Sequence, residues 1–127
     1  VVPSSSNRSS KVIMNRPLFS VVTPALNCRE FLPRNVASVR HQGLAPEQIE
    51  HWIIDGKSSD GTTEWLKDQP DLKWISEPDR CLSDAVNKGL TRATGQWILW
   101  VNADDDLAPN ALQEFMKATL EHPDIRL

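Results

Sequence analysis

The sequence predicts an α/β fold, a mostly parallel sheet with helices on both faces, in the order β-α-β-α-β-α-β-α. Three observations lead there. From Pro17 onward, short apolar runs alternate with stretches of helical period, the pattern that builds parallel sheets through right-handed crossovers. The first run, LFSVVTP at 18–24, is continuous and β-branched, as in a strand buried on both faces. Each later apolar run is followed by polar or acidic residues, which such a fold would collect at the carboxyl edge of its sheet.

Taken in order, 18–24 is the first strand. Leu32, Val36 and Val39 behind it share one helical face, with Pro33 tolerated within the first turn. HWIID (51–55) is the second strand, and GKSSDGT behind it is turn chemistry. Asp60 is placed to cap a short helix through TTEWLKD, with Trp65 and Leu66 toward the core. KWISE (73–77) is the third strand. Leu82, Val86, Leu90 and Ala93 mark an amphipathic helix ending near Gly95. QWILWV (96–101) is the fourth strand. Pro109 suits the first turn of a last helix carrying Leu112, Phe115, Met116 and Leu120.

The 127 residues suit one domain, with 39% hydrophobic and 24% charged residues enough to build a core. Residues 1–16 read as a polar, disordered lead-in and 17–127 as the domain. A formal net charge of −3 argues against a general grip on nucleic acid or an anionic membrane. No apolar run reaches the roughly 20 residues that span a bilayer. Cys28 and Cys81 lack metal-ligand spacing and read as inert thiols. His41, His51 and His122 read as surface or partly packed side chains, and the tryptophans as core packing.

The polar residues are better placed. Thr23 and Asn27 follow the first strand, Asp55 ends the second, Glu77 and Asp79 follow the third, and Asp104, Asp105 and Asp106 follow the fourth. Three adjacent carboxylates repel one another unless water or a cation compensates them. Lys57, Arg80 and Lys88 lie close in sequence to this edge. Oxygen donors without His or Cys favour Mg²⁺ or Mn²⁺, which take one or two carboxylates and complete their shell with water and phosphate. In an extended segment, Asp104 and Asp106 would point one way and Asp105 the other. A metal-bridged diphosphate is the ligand these parts fit best. GxGxxG, GxxxxGK[ST] and a nucleophile elbow are all absent from the sequence.

Four segments, FSVVTPALN, IIDGKSSDGT, SEPDRCLSDAVNKGL and TGQWILWVNADDDL, resemble the family 2 glycosyltransferases of the GT-A, Rossmann-like fold, in order and strand context across about residues 17–120. The resemblance implies a nucleotide-diphospho-sugar donor, a UDP-sugar above all, a divalent metal, and transfer to an acceptor hydroxyl with inversion. Thr23 and Pro24 would line the nucleoside pocket, and Asp55 resembles the carboxylate that contacts the base. Asp79, Arg80, Asp84 and Lys88 resemble the segment along the ribose and diphosphate. Residues 102–106 resemble the DxD region in two overlapping frames, Asn102-Ala103-Asp104 and Asp104-Asp105-Asp106, so Asp104 is the best single metal ligand among the three aspartates. Cys81 stands where many members have glycine, and Ser83 where many have an aromatic. The family's catalytic domains are longer, and their later half supplies the acceptor site and the carboxylate base. The chain therefore reads as a donor-binding half, with a non-catalytic nucleotide-binding module as the alternative. A cytoplasmic location is expected from the absent signal core and the cytosolic supply of nucleotide sugars, with membrane association left to further segments.

Overall fold

The computed structural model describes Val2–Pro3 and residues 16–122, and the expected alternation is present in it. The elements are β1 (Val2–Pro3), β2 (Phe19–Ala25), α1 (Leu32–Arg40), a 3₁₀ turn (Pro46–Gln48), β3 (Ile49–Asp55), α2 (Thr62–Lys67), β4 (Lys73–Ser76), α3 (Leu82–Arg92), β5 (Trp97–Trp100) and α4 (Ala111–Glu121). They form one sheet in the order β1-β5-β2-β3-β4. β2, β3, β4 and β5 are parallel, and β1 joins the outer side of β5 antiparallel, with Val2 opposite Ile98. That two-residue edge strand falls within the lead-in and was not expected from its composition; residues 4–15 lie outside the described residues.

β2 is central and buried along its whole length, as its continuous apolar run requires. Its alternating side chains divide the core. Ala25, Ile53 and Leu66 cluster with Leu32 and Val36 of α1, while Val21 packs with Val39. On the other face, Val22, Ile54 and Ile98 cluster with Ala85 of α3. Phe115 of α4 stands edge-on to Phe19 and Trp97, with ring centroids 5.9 and 5.0 Å away, which puts α4 on the α1 side. Helices thus cover both faces.

The strand order reverses direction between β2 and β5: β3 and β4 lie on one side of β2, whereas the chain returns through α3 to place β5 on the other. Crossovers on opposite faces leave a crevice outside the carboxyl ends of these two strands, where open α/β sheets bind ligands.

Helical faces differ from expectation in one respect. Leu82, Leu90 and Leu120 are exposed, whereas Val86 and Ala93 of the expected face are buried and α3 adds Ala85 and Gly89 to it. A β-carbon on Gly89 would stand 2.2 Å from Val22 Cγ1, so the small residues bring α3 close to the sheet. α4 begins at Ala111, leaving Pro109 just outside it.

Candidate functional site: the carboxyl edge of the sheet

Asp55 ends β3 fully buried. Its carboxylate accepts from Ser58 Oγ at 2.5 Å, from the Ser58 backbone N–H at 3.1 Å and from Ser76 Oγ at 2.7 Å. These bonds fold the loop 56–58 back over the strand end. Lys57 takes a left-handed φ of 68° there and Asn27 one of 52° in the facing loop, conformations that cost a non-glycine residue energy unless neighbours hold them. The two loops hold each other: the Asn27 N–H donates to Ser58 Oγ at 2.8 Å, and the Ser59 N–H donates to Asn27 Oδ1 at 2.9 Å.

Beyond β4, Lys88 of α3 reaches back over Asp79. Its ammonium donates to Asp79 Oδ1 at 2.6 Å and to the Pro78 carbonyl at 2.9 Å, with Glu77 at 3.2 Å and Asp84 at 3.7 Å. The Asp79 hydrogen bond, against a smaller loss of hydration, raises the Lys88 pKa above its ordinary value, so the amine stays charged. The Arg80 N–H donates to Asp84 Oδ2 at 3.0 Å, and this bond leads in holding the Asp84 carboxyl below its ordinary range. A β-carbon on Gly56 would stand 2.9 Å from Asp79 Oδ2, so the bare backbone at Gly56 makes room for this carboxylate.

The third wall is the loop from β5 to α4. Asn102 Oδ1 accepts from Trp100 Nε1 at 2.8 Å, and the Asn102 carbonyl accepts the Asp105 N–H at 3.0 Å, closing a turn around Asp104. Arg34 of α1 forms an ion pair with Asp106 through its Nε. The Asp104 and Asp105 side chains are exposed, and their carboxylates have no hydrogen-bond or ion-pair partner among the described residues. The three aspartates do not converge: among the described residues, no three His, Cys, Asp or Glu side chains are grouped to hold one ion. The donor set therefore fits a cation that takes one or two carboxylates and completes its shell with phosphate and water, not an all-protein cage.

Comparisons with known proteins agree with this fold. The sequence matches the family described as Glycosyl transferase family 2 over residues 20–125. The chain belongs to that family. An uncharacterized glycosyltransferase of Mycobacterium tuberculosis is 37% identical to it over 106 residues, covering 80% of this chain and 40% of that protein. The family 2 domain described here thus spans about 40% of the length of that relative. Two solved structures share the fold. Staphylococcus aureus TarS 1–349, in complex with UDP-GlcNAc, has a TM-score of 0.74 at 22% identity, covering 83% of this chain and 32% of that one. A mannosyltransferase from Pyrobaculum calidifontis, in complex with GDP-Man and Mn²⁺, has a TM-score of 0.71 at 23% identity, covering 98% and 36%.

Within this family 2 domain, Asp55 ends β3, Asp79 and Arg80 follow β4, Asp84 and Lys88 of α3 bond back to them, and Asn102 and Asp104 follow β5, the placement that the strand order predicts. Thr23 does not open onto it. Its side chain is on the helix-covered face of β2, fully buried, with Oγ1 2.8 Å from His51 Nε2. Pro24 is likewise buried within β2. His51 is a core side chain and not a surface one, and burial, with the Arg40 charge, pushes its pKa down to about 3. Trp100 is half-exposed beside Asn102, unlike a core tryptophan.

Sequence reasoning passed over Asn35, Ser38 and Gln42. Asn35 Nδ2 donates to the carbonyls of Asn102 at 3.1 Å and Asp105 at 2.9 Å. The Leu107 N–H donates to Ser38 Oγ at 3.0 Å. Gln42 Nε2 donates to the Ala108 carbonyl at 2.9 Å, and its Oε1 accepts the Leu112 N–H at 3.0 Å. Their helical spacing beside Val36 and Val39 was the available signal.

Proposed function

We propose that this domain binds a nucleotide-diphospho-sugar, a UDP-sugar above all, and presents it for metal-assisted transfer to an acceptor hydroxyl with inversion at the anomeric carbon. The observation that carries this reading is the pair of unpartnered carboxylates, Asp104 and Asp105, on a fixed turn beside the crevice between β2 and β5. Family membership and the UDP-GlcNAc and GDP-Man bound by the two structural relatives support the donor class. The Mn²⁺ in the mannosyltransferase supports the cation.

In this reading Asp104, with Asp105 beside it, holds Mg²⁺ or Mn²⁺. The cation supplies charge compensation on the departing diphosphate. Asp55 holds the β3 loop in shape under the base, with Pro24 and Thr23 behind it as packing. The segment from Asp79 to Lys88 lies along the ribose and diphosphate. Lys88 is committed to Asp79, so it orients that carboxylate first and reaches phosphate only if the pair opens. Arg80 is exposed and loosely paired with Asp84, which leaves its guanidinium free to turn toward an anion.

Titration calorimetry with UDP and GDP, with and without Mn²⁺, tests the reading. Binding is expected to need Mn²⁺ and to prefer UDP. Even an outer-shell partner of a metal is worth about 10–100-fold in affinity, so Asp104→Asn is expected to weaken binding by at least roughly tenfold. Affinity unchanged by EDTA and by Asp104→Asn would remove the metal from the proposal.

A further inference from the structure

The acidic turn is held from below by one side of α1 and the residue pair that follows it. Asn35 and Ser38 are spaced i and i+3 on α1, which stacks them on one side of the helix, and Gln42 stands just past its end, beyond the C-cap His41. Between them they satisfy four backbone groups of the loop, the carbonyls of Asn102, Asp105 and Ala108 and the N–H of Leu107, and the Leu112 N–H in the first turn of α4. Asn35 and Gln42 are fully buried in doing so. The three are also tied to their own helix, Ser38 Oγ donating to the Asn35 carbonyl at 2.7 Å and Gln42 Nε2 to the Ser38 carbonyl at 2.9 Å.

Asn35 has the most specific place. Its amide bridges the two carbonyls at the ends of the turn that the Asp105 N–H closes onto Asn102, so it fixes the direction in which Asp104 leaves the backbone. Adjacent carboxylates would otherwise drive such a loop apart. We propose that Asn35, Ser38 and Gln42 are positioning residues that preset the backbone of the 102–106 turn for cation-bridged diphosphate binding. They touch no ligand themselves. They act through the turn, as the outer-shell partners of a metal site act through its ligands.

This inference rests on the cation and diphosphate reading above, and the test keeps the two apart. Asn35→Ala, Ser38→Ala and Asp104→Asn are titrated with UDP in the presence and absence of Mn²⁺, well below the unfolding midpoint of each variant. Wild-type binding that depends on Mn²⁺, with Asn35→Ala and Ser38→Ala weakening the Mn²⁺-dependent affinity by roughly tenfold, is the expected result. A merely structural role lowers the unfolding midpoint and leaves that affinity in place. If Asp104→Asn abolishes Mn²⁺-dependent binding while both α1 variants retain it, the positioning role is wrong and the cation site stands. If wild-type binding ignores Mn²⁺, both fall. Should Asn35→Ala fail to fold, Ser38→Ala, which removes a hydroxyl and little volume, decides the matter alone.

Discussion

At the scale of single residues, Asp55 shows how a buried carboxylate shapes the loop at the end of its strand. A buried carboxylate is costly unless its lone pairs are satisfied, and three of its roughly four acceptor positions are taken by Ser58 and Ser76. Asp55→Ala would strand the Ser58 N–H and two hydroxyls, and each buried unsatisfied group costs about 1–3 kcal/mol; water reaching the half-buried serines lowers that sum. We expect a loss of roughly 2 kcal/mol in urea unfolding. An unchanged midpoint would mean that the loop 56–58 is held by other bonds. Asp55 was legible because an Asp-Gly pair closes a buried strand. The burial of Thr23 was not legible, although strand parity already put it on the face of Val21. Its partner, His51, is 28 residues away, a distance across which only the parallel register of β2 and β3 brings them together. Asn35 and Gln42 were hidden for the same reason, since their partners lie some 66 to 70 residues further along the chain.

At the scale of elements, α3 shows how closely a helix must approach to build the edge. Lys88 reaches Asp79 only because the neighbouring turn, at Gly89, lies against Val22. Gly89→Ala sets two effects against each other. Alanine gains about 1 kcal/mol of helix propensity over glycine, but its methyl would stand 2.2 Å from Val22 Cγ1. Overpacking of that kind costs about 1–3 kcal/mol, so the clash is expected to win. The denaturation midpoint should fall, and Val22→Ala in the same chain should recover part of the loss by vacating the space. A midpoint raised by Gly89→Ala would mean that α3 has slack against the sheet. The existence and order of every central strand and helix were legible from apolar period. The face of α3 was legible only in part: Val86 and Ala93 lie on it as expected, but the close approach is made by Ala85 and Gly89, which a leucine pattern does not mark. β1, Val2–Pro3 on an edge, is too short for a period to show.

At the scale of the whole molecule, the two edges of the sheet do different work. The carboxyl edge exposes Asp104 and Asp105 beyond β5, whereas the opposite edge buries Glu50. Glu50 accepts from Ser20 at 2.5 Å, Lys73 at 2.8 Å and the Thr94 N–H at 2.9 Å, tying β2, β3, β4 and the entry to β5 together. Burial pushes its carboxyl up, and these bonds outweigh burial and hold it below its ordinary value. Between the edges, His51 lines a cavity of about 540 Å³ beneath α1, with Nδ1 buried and unpartnered. Its pKa falls from 6.5 to about 3. Between those values the unfolded chain binds a proton that the folded chain refuses, so stability is complete above the unfolded value and declines as pH falls through the window. One proton sets a limiting slope of about 1.4 kcal/mol per pH unit. Glu50 has the same sign at lower pH: its contribution is present above its unfolded value and is lost as pH drops through its depressed folded one. Urea midpoints measured from pH 7 to pH 4 are therefore expected to fall, first through His51 and then through Glu50. His51→Gln can keep the bond to Thr23 and cannot take up the proton, so it should flatten the decline from about pH 6.5 downward and leave only the part below about pH 4.5 that belongs to Glu50. Equal slopes for wild type and His51→Gln over that range would assign the acid sensitivity to another group.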